Sequence, residues 1–278
     1  MVFFVSYHKI WYSVFFGGID AFMAKTLTFA NLKGGTGKTT LCYNIAALFV
    51  DMGYRSLLID LDAQAHATTH AGFEPIKIKK GVFEAISEYL KKQSVDSQVI
   101  LRQQGLSILP SNSKTVLLEE ELASLTNKES VLRDFLMELD RDFDFIFIDT
   151  PPSLGLTVLN ALVASDYLLI PVRLDFFSLV GLAQMINFYY KVNTTLSPYL
   201  KLLGLIPISI SARARVCNDV LNELRTTFGE KLLFPTLRND IKVVEASSHG
   251  LPVHRYAPKS RASEDLTKIS QEILRRLI

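Results

Sequence analysis

Lys33-Gly34-Gly35-Thr36-Gly37-Lys38-Thr39-Thr40 stands between an apolar run, Thr26 to Leu32, and a segment, Thr39 to Met52, whose Leu41, Ile45, Leu48 and Phe49 recur at helical spacing. The order strand, glycine-rich loop, helix is that of a phosphate-binding loop. Its glycines let backbone N–H groups turn inward around a phosphate, and the helix N-terminus adds its positive dipole. Lys38 is then placed to neutralise β/γ oxygens, and the Thr39 hydroxyl to ligate Mg²⁺. The common spacing GxxxxGK[ST] would put glycine where Leu32 stands; what this chain carries in addition is a second lysine, Lys33.

Outward from the loop, Arg55 to Leu61, Phe143 to Ile148, Tyr167 to Val172 and Leu202 to Ile208 read as buried strands. Helical patterns at Val158 to Ala164, Leu179 to Tyr190 and Val216 to Phe228 alternate with them. Such alternation implies an α/β fold, a mostly parallel twisted sheet with helices on both faces, and the phosphate-binding loop between its first strand and helix makes it of P-loop NTPase type. Phe73 to Asn112 has weaker signals, a helical Val82 to Leu90 and a strand-like Leu106 to Leu109. Thr267 to Ile278 closes the chain as a helix expected to dock on its own sheet, with a membrane-binding amphipathic tail as the alternative. No repeat or Pro/Gly-rich linker divides the chain, so residues 23–278 read as a single P-loop domain.

Ligands in such sheets sit at the carboxyl ends of the strands, where acidic residues are waiting. Asp149 follows the strand at Phe143 to Ile148 as the Walker-B carboxylate, holding Mg²⁺ directly or through water. Asp60 and Asp62 lie at the end of the second strand, and strict alternation would turn both side chains to one side. One would support the metal shell and the other orient water, the alternative for Asp60 being a cap on the following segment. Thr39, Asp149 and one of Asp60 and Asp62 are thus the metal candidates.

The 278 residues are 49% hydrophobic and 21% charged, enough for a full core, which excludes disorder and fibrous repeats. The net charge of +2 is unremarkable, but Lys201 to Arg261 holds ten Lys/Arg against five Asp/Glu, a candidate polyanion surface. Cys42 and Cys217 stand far apart, without the spacing of a disulfide framework or a metal site, in keeping with a reducing cytoplasm. The first 22 residues differ: they hold five of the 18 Phe and Trp11, with Lys9 and Asp20 their formal charges. They match neither a signal peptide nor a span of about 20 apolar residues. Met23-Ala24-Lys25 leads into a clean strand, so residues 1–22 read as an extension, upstream of the natural start or a poorly ordered arm, with a membrane or partner contact as the alternative.

Three segments together carry a resemblance: Lys33 to Thr40, Asp60-Leu-Asp-Ala-Gln-Ala-His-Ala-Thr68, and Phe145-Ile-Phe-Ile-Asp-Thr-Pro-Pro-Ser153. They resemble the deviant Walker A, A′ and B motifs of the ParA/Soj family of partition ATPases. Ile170 to Leu182, Arg238 to Ala246 and Gly250-Leu-Pro252 resemble further stretches of that family, so the likeness covers nearly the whole chain from Met23 onward.

The resemblance implies a Mg²⁺-dependent ATPase of weak intrinsic rate, with ATP bound by Lys33, Gly34, Gly35, Thr36, Gly37, Lys38, Thr39 and Thr40. Lys33 matches the signature lysine that crosses to the partner's nucleotide in an ATP homodimer. Lys38 matches the P-loop lysine and Asp62 the carboxylate tied to hydrolysis, completing a catalytic set of Lys33, Lys38 and Asp62, while Asp60 matches a Mg²⁺-shell neighbour and Asp149 the Walker-B acid, so that the metal set the resemblance implies is Thr39, Asp60 and Asp149. It further implies non-specific DNA as a partner of the dimer, a ParB-type centromere-binding protein that stimulates hydrolysis, and a cytoplasmic, nucleoid-associated location. Arg213, Arg215, Arg238, Lys242, Arg255, Lys259 and Arg261 are the DNA candidates, Arg238 first among them. Base contacts are expected around Pro207 to Ser209 and Arg238 to Asp240. Where the family commonly has Pro-Gln-Gly-Asn after the A′ aspartate, this chain has Ala63-Gln64-Ala65-His66, which puts turn geometry and hydrolysis rate there in question. A MinD-like membrane-associated positioning ATPase is the alternative. Cluster-carrying relatives would want interface cysteines, and a synthetase on the same fold would keep Lys38 but lack the Lys33 signature.

Overall fold

The structure, a computed structural model, describes residues 23–139, 142–209 and 215–277. The extension at residues 1–22 and Arg213 lie outside the described residues. Seven strands form one sheet: β1 (Lys25–Phe29), β2 (Ser56–Asp60), β3 (Leu101–Gln103), β4 (Leu106–Leu109), β5 (Phe145–Asp149), β6 (Tyr167–Arg173) and β7 (Lys201–Ile208). Their order is β3-β4-β2-β5-β1-β6-β7, and every pairing is parallel except β3 with β4. The helices are α1 (Lys38–Asp51), α2 (His66–His70), α3 (Val82–Lys92), α4 (Leu118–Ala123), α5 (Val131–Met137), α6 (Leu156–Val163), α7 (Phe176–Thr195), α8 (Arg215–Phe228), α9 (Lys242–Ser248), α10 (Val253–Tyr256) and α11 (Arg261–Leu277).

Alternation along each central strand divides the core between the two faces of the sheet. Leu27, Phe29, Leu58, Phe145 and Phe147 turn to one face, where α1 and α11 cover them. Leu57, Ile59, Ile146 and Ile148 turn to the other, under α3 and α5. Around β6 and β7 a third cluster joins Leu168, Ile170 and Val172 to Leu182 and Met185 of α7 and to Val220 and Leu224 of α8. The apolar positions of α11, Ile269, Ile273 and Leu277, are buried against α1 and the sheet. The terminal helix therefore docks, and that face is closed to a bilayer. Among the described residues no helix is long and apolar enough to cross a membrane.

Element types agree with the sequence reading, whereas several boundaries move. The terminal helix starts at Arg261 instead of Thr267, because its polar first turn carries no apolar signal. The third long strand starts at Phe145, after Asp144 has accepted the Arg55 amide at 2.8 Å. Helix α7 opens three residues earlier than its periodicity suggests, with Asp175 as N-cap accepting from the Ser178 amide.

What matters for the site is register. Phe29 lies opposite Asp149 across the β1–β5 pairing, and Asp60 lies opposite the same Asp149 across β2–β5. The carboxyl ends of three adjacent strands therefore bring the glycine-rich loop and two aspartates to one edge.

Candidate functional site

The loop leaves β1 at Ala30 and is anchored before it turns. Asn31 donates from Nδ2 to the Pro171 carbonyl at 2.7 Å, and its Oδ1 accepts the Lys33 amide at 3.1 Å. Gly35 and Gly37 take φ values of 68° and 78°, a left-handed backbone that glycine adopts at no steric cost. At Gly37 a Cβ would in addition sit 2.6 Å from Ile208 Cδ1, so that side chain would have to shift. No side-chain oxygen caps α1 at Gly37, which leaves the first amides of a 14-residue helix to an external acceptor.

Lys38 is 6% exposed. Burial pushes its ammonium below the usual lysine range, opposed by the carboxylates of Asp149 and Asp62. Asp149 is fully buried, and neither of its oxygens has a hydrogen-bond partner. Burial and then the neighbouring Asp60 push its carboxyl well above the usual carboxylate range; the Thr39 hydroxyl is near enough to oppose this without a hydrogen bond of good geometry. An orphaned buried carboxylate beside a hydroxyl fits a hard cation such as Mg²⁺. Among the described residues no three His, Cys, Asp or Glu side chains group as a self-sufficient metal cage. Mg²⁺ does not require one, because it keeps waters and phosphate oxygens and takes one or two protein donors.

Asp60 differs from its neighbour although both are buried. Its Oδ1 accepts the Asp62 amide at 3.1 Å, and its Oδ2 accepts both the amide and the hydroxyl of Thr68, at 2.8 and 2.7 Å. Burial still lifts its pKa to about 6. Its oxygens already have donors from the chain, so the capping alternative describes its contacts better than direct metal ligation. The expected alternation does not reach Asp62, because β2 ends at Asp60. A turn places Asp62 instead: its carbonyl accepts the Ala65 amide at 2.8 Å and its Oδ1 the Gln64 amide at 3.0 Å. Ala65, at the position where the family commonly has glycine, holds φ 52°. His66, the residue after Ala65, is exposed.

Lys33 is at the rim, its side chain 33% exposed. Its Nζ lies 2.8 Å from Asp175 Oδ1 and 3.1 Å from Ser178 Oγ. Asp175 also pairs with Arg173, whose Nη1 comes within 3.5 Å of the Gly35 carbonyl. Asn31, Arg173 and Asp175 receive no role from the sequence. The position of Asp175 just past β6, the strand beside β1, is the signal that could have found it.

A cavity of about 310 Å³ opens beside the loop, lined by Gly35, Gly37, Thr40 and Arg173 and by the two segments where base contacts are expected, here Ile208-Ser209 and Arg238 to Asp240. Arg238 therefore lines this cavity, with its side chain 41% exposed. Asp265 grips its guanidinium through both oxygens, at 2.7 to 3.1 Å, and Glu264 adds a contact at 2.9 Å, which together hold its pKa above the usual arginine value. The charge that made it the first DNA candidate is neutralised. Arg255 is likewise engaged by Asp51 and Gln104, and Lys242 pairs with Glu245 at 2.7 Å. Arg215, Lys259 and Arg261 are exposed and make no ion pair among the described residues.

Comparison with known proteins agrees with this geometry. Residues 24–202 match the family model described as an AAA domain. The chain is 32% identical over 251 residues to the sporulation initiation inhibitor protein Soj of Bacillus subtilis, covering 90% of this chain and 98% of that one. It is also 32% identical over 256 residues to the chromosome partitioning protein ParA of Myxococcus xanthus, covering 92% and 90%. Among solved structures, cobyrinic acid a,c-diamide synthase from Mycobacterium smegmatis, with bound ATP analog and magnesium, superposes with a TM-score of 0.79 at 29% identity, covering 91% of this chain and 96% of that one. With a glycine loop, two lysines and an orphaned Asp149 at one sheet edge, and these relatives along nearly its full described length, the chain belongs to the ParA/Soj family of P-loop partition ATPases.

Proposed function

We propose that this chain is an ATP-dependent DNA partition ATPase, in which ATP joins two copies, the dimer rests on DNA without sequence preference, and hydrolysis stimulated by a ParB-type partner releases it. Residues 23–278 act as one domain, and the working location is the nucleoid. ATP and Mg²⁺ are the cofactors. The observation that carries the reading is the contrast between two lysines of one loop: Lys38 is buried beside Asp149 and Asp62, while Lys33 is partly exposed at the rim and tied to Asp175. A synthetase on this fold would use Lys38 and have no use for Lys33.

In this mechanism the amides of Gly34 to Thr39 and the Lys38 ammonium hold the β- and γ-phosphates. Thr39 and Asp149 would hold Mg²⁺, whose charge, when bound, would offset that of the phosphate oxygens. Asp60 holds the backbone at Asp62, and Asp62 accepts a hydrogen bond from the attacking water and orients it. Lys33 must leave Asp175 and Ser178 to reach a partner's nucleotide. That move exchanges one charge-assisted contact for another and is open to it only in the dimer, so nucleotide state and oligomeric state are linked. Arg215, Lys259 and Arg261, with Arg213 beyond the described residues, are the remaining candidates for DNA phosphates.

Two substitutions separate binding from hydrolysis. Lys38→Ala abolishes binding of a fluorescent ATP analogue in titration. Asp62→Ala keeps ATP-dependent dimers on gel filtration while phosphate release falls by about 100-fold or more, the scale of a missing water-orienting base. A fully active Asp62→Ala protein would remove the assignment.

A further inference from the structure

The backbone of Asp62 is held by a buried chain of hydroxyl groups that phosphate binding does not explain. Thr68, in α2, donates from Oγ1 and from its amide to Asp60 Oδ2, and Asp60 Oδ1 accepts the Asp62 amide. The Thr68 hydroxyl in turn accepts the amide of Ser111, which follows β4, at 2.9 Å. Ser111 Oγ lies 2.7 Å from the Asp62 carbonyl oxygen and 2.9 Å from Thr115 Oγ1. A carbonyl can only accept, so the single Ser111 proton is committed to Asp62, and the Thr115 proton closes the remaining contact. Asp60, Thr68 and Ser111 are all 0% exposed, and Thr115 is 4% exposed.

Asp62 is thereby clamped from two sides, its N–H by Asp60 and its C=O by Ser111. A buried polar network in which each member is satisfied is rigid, and a water-orienting carboxylate needs such rigidity within a few tenths of an ångström. Burying three hydroxyls where apolar side chains would pack serves this end better than it serves stability. We propose that Thr68 and Ser111 are positioning residues for hydrolysis, acting on the Asp62 carboxylate through Asp60 and the Asp62 main chain. The inference rests on the reading of Asp62 given above.

The test uses the full chain with Mg²⁺ and ATP. Thr68→Val is near-isosteric and removes both hydroxyl contacts, Thr68→Ser retains them, and Ser111→Ala removes the clamp on the carbonyl independently. Phosphate release at saturating ATP, affinity for a fluorescent ATP analogue and the thermal midpoint are measured for each. Thr68→Val and Ser111→Ala lower kcat by about 10- to 100-fold, the usual effect of removing an outer-shell partner, with nucleotide affinity held within about threefold and Thr68→Ser close to wild type. Wild-type turnover in folded Thr68→Val and Ser111→Ala overturns the proposal, as does a fall in affinity that matches the fall in rate. Asp62→Ala in the same assay separates the two failures. If Asp62→Ala is inactive while the hydroxyl variants are active, only the positioning role falls. If Asp62→Ala is itself active, the reading of Asp62 and this inference fall together.

Discussion

Ala65 sits at φ 52°, ψ 35°, in the turn that sets Asp62 and opens α2. An L-residue there costs about 1 kcal/mol or more, because Cβ crowds the following carbonyl. Ala65→Gly removes that strain but frees the unfolded chain, and the net expectation is a gain of about 0.5–1 kcal/mol in urea unfolding. Unchanged or reduced stability would mean that the turn is not strained by its alanine. At this scale the sequence shows which residue types gather but not which of their atoms are already occupied. Asp60 and Asp149 end neighbouring strands and look alike as letters. Only the hydrogen bonds separate an aspartate engaged by Thr68 and the Asp62 amide from one with two orphaned oxygens. The ion pair of Arg238 is hidden for the same reason, its partner Asp265 lying 27 residues along the chain.

Helices and strands are legible where apolar periodicity spans several turns, as in α1, α7 and α8. They are not where an element is short or its first turn polar. Strand β3 has three residues and no fully buried side chain, and α4 and α5 have six and seven residues. Such segments are decided by tertiary contacts: Glu119 of α4, for example, accepts the amides of Leu156 and Thr157 at the start of α6. The docking of α11 follows from its apolar spacing, whereas the contacts by which Arg276 fastens it do not. Arg276 donates to the Leu203 and Leu233 carbonyls, lies 3.9 Å from the Phe234 ring centroid and is gripped by Glu272 at 2.8 Å. Arg275 and Arg276 together lower the Glu272 pKa from 4.5 to about 2. A depressed carboxyl stabilises the fold above its unfolded pKa and loses that contribution as pH falls through its folded one. Glu272→Gln is therefore expected to destabilise by about 1 kcal/mol at pH 7, with the difference from wild type shrinking as pH drops from 4.5 toward 2. Chemical unfolding of both proteins across that range checks it; a gap that widens toward low pH would contradict the assignment.

For the molecule as a whole, the architecture and the loop's place at the carboxyl edge are legible because one glycine-rich loop between a strand and a helix constrains everything around it. The surface is less legible. Net charge over Lys201 to Arg261 flags a basic region, but four of its members, Arg225, Arg238, Lys242 and Arg255, pair with carboxylates. Of the candidates for a polyanion surface, Arg215, Lys259 and Arg261 are the ones that are exposed and make no ion pair among the described residues. Reversing these three to Glu leaves nucleotide binding intact and flattens the salt dependence of DNA binding by about 0.9 in log–log slope for each phosphate no longer neutralised. A variant that binds DNA as the wild type does would move the surface elsewhere.

The most direct test of the partition reading is binding of the full chain to non-specific duplex DNA with ATP, with ADP and with no nucleotide, at two salt concentrations and beside anionic liposomes. DNA binding that needs ATP and weakens steeply with salt, without liposome binding, is the expected result. Liposome binding that needs ATP, with no affinity for DNA, would contradict it and move the protein to a MinD-like role.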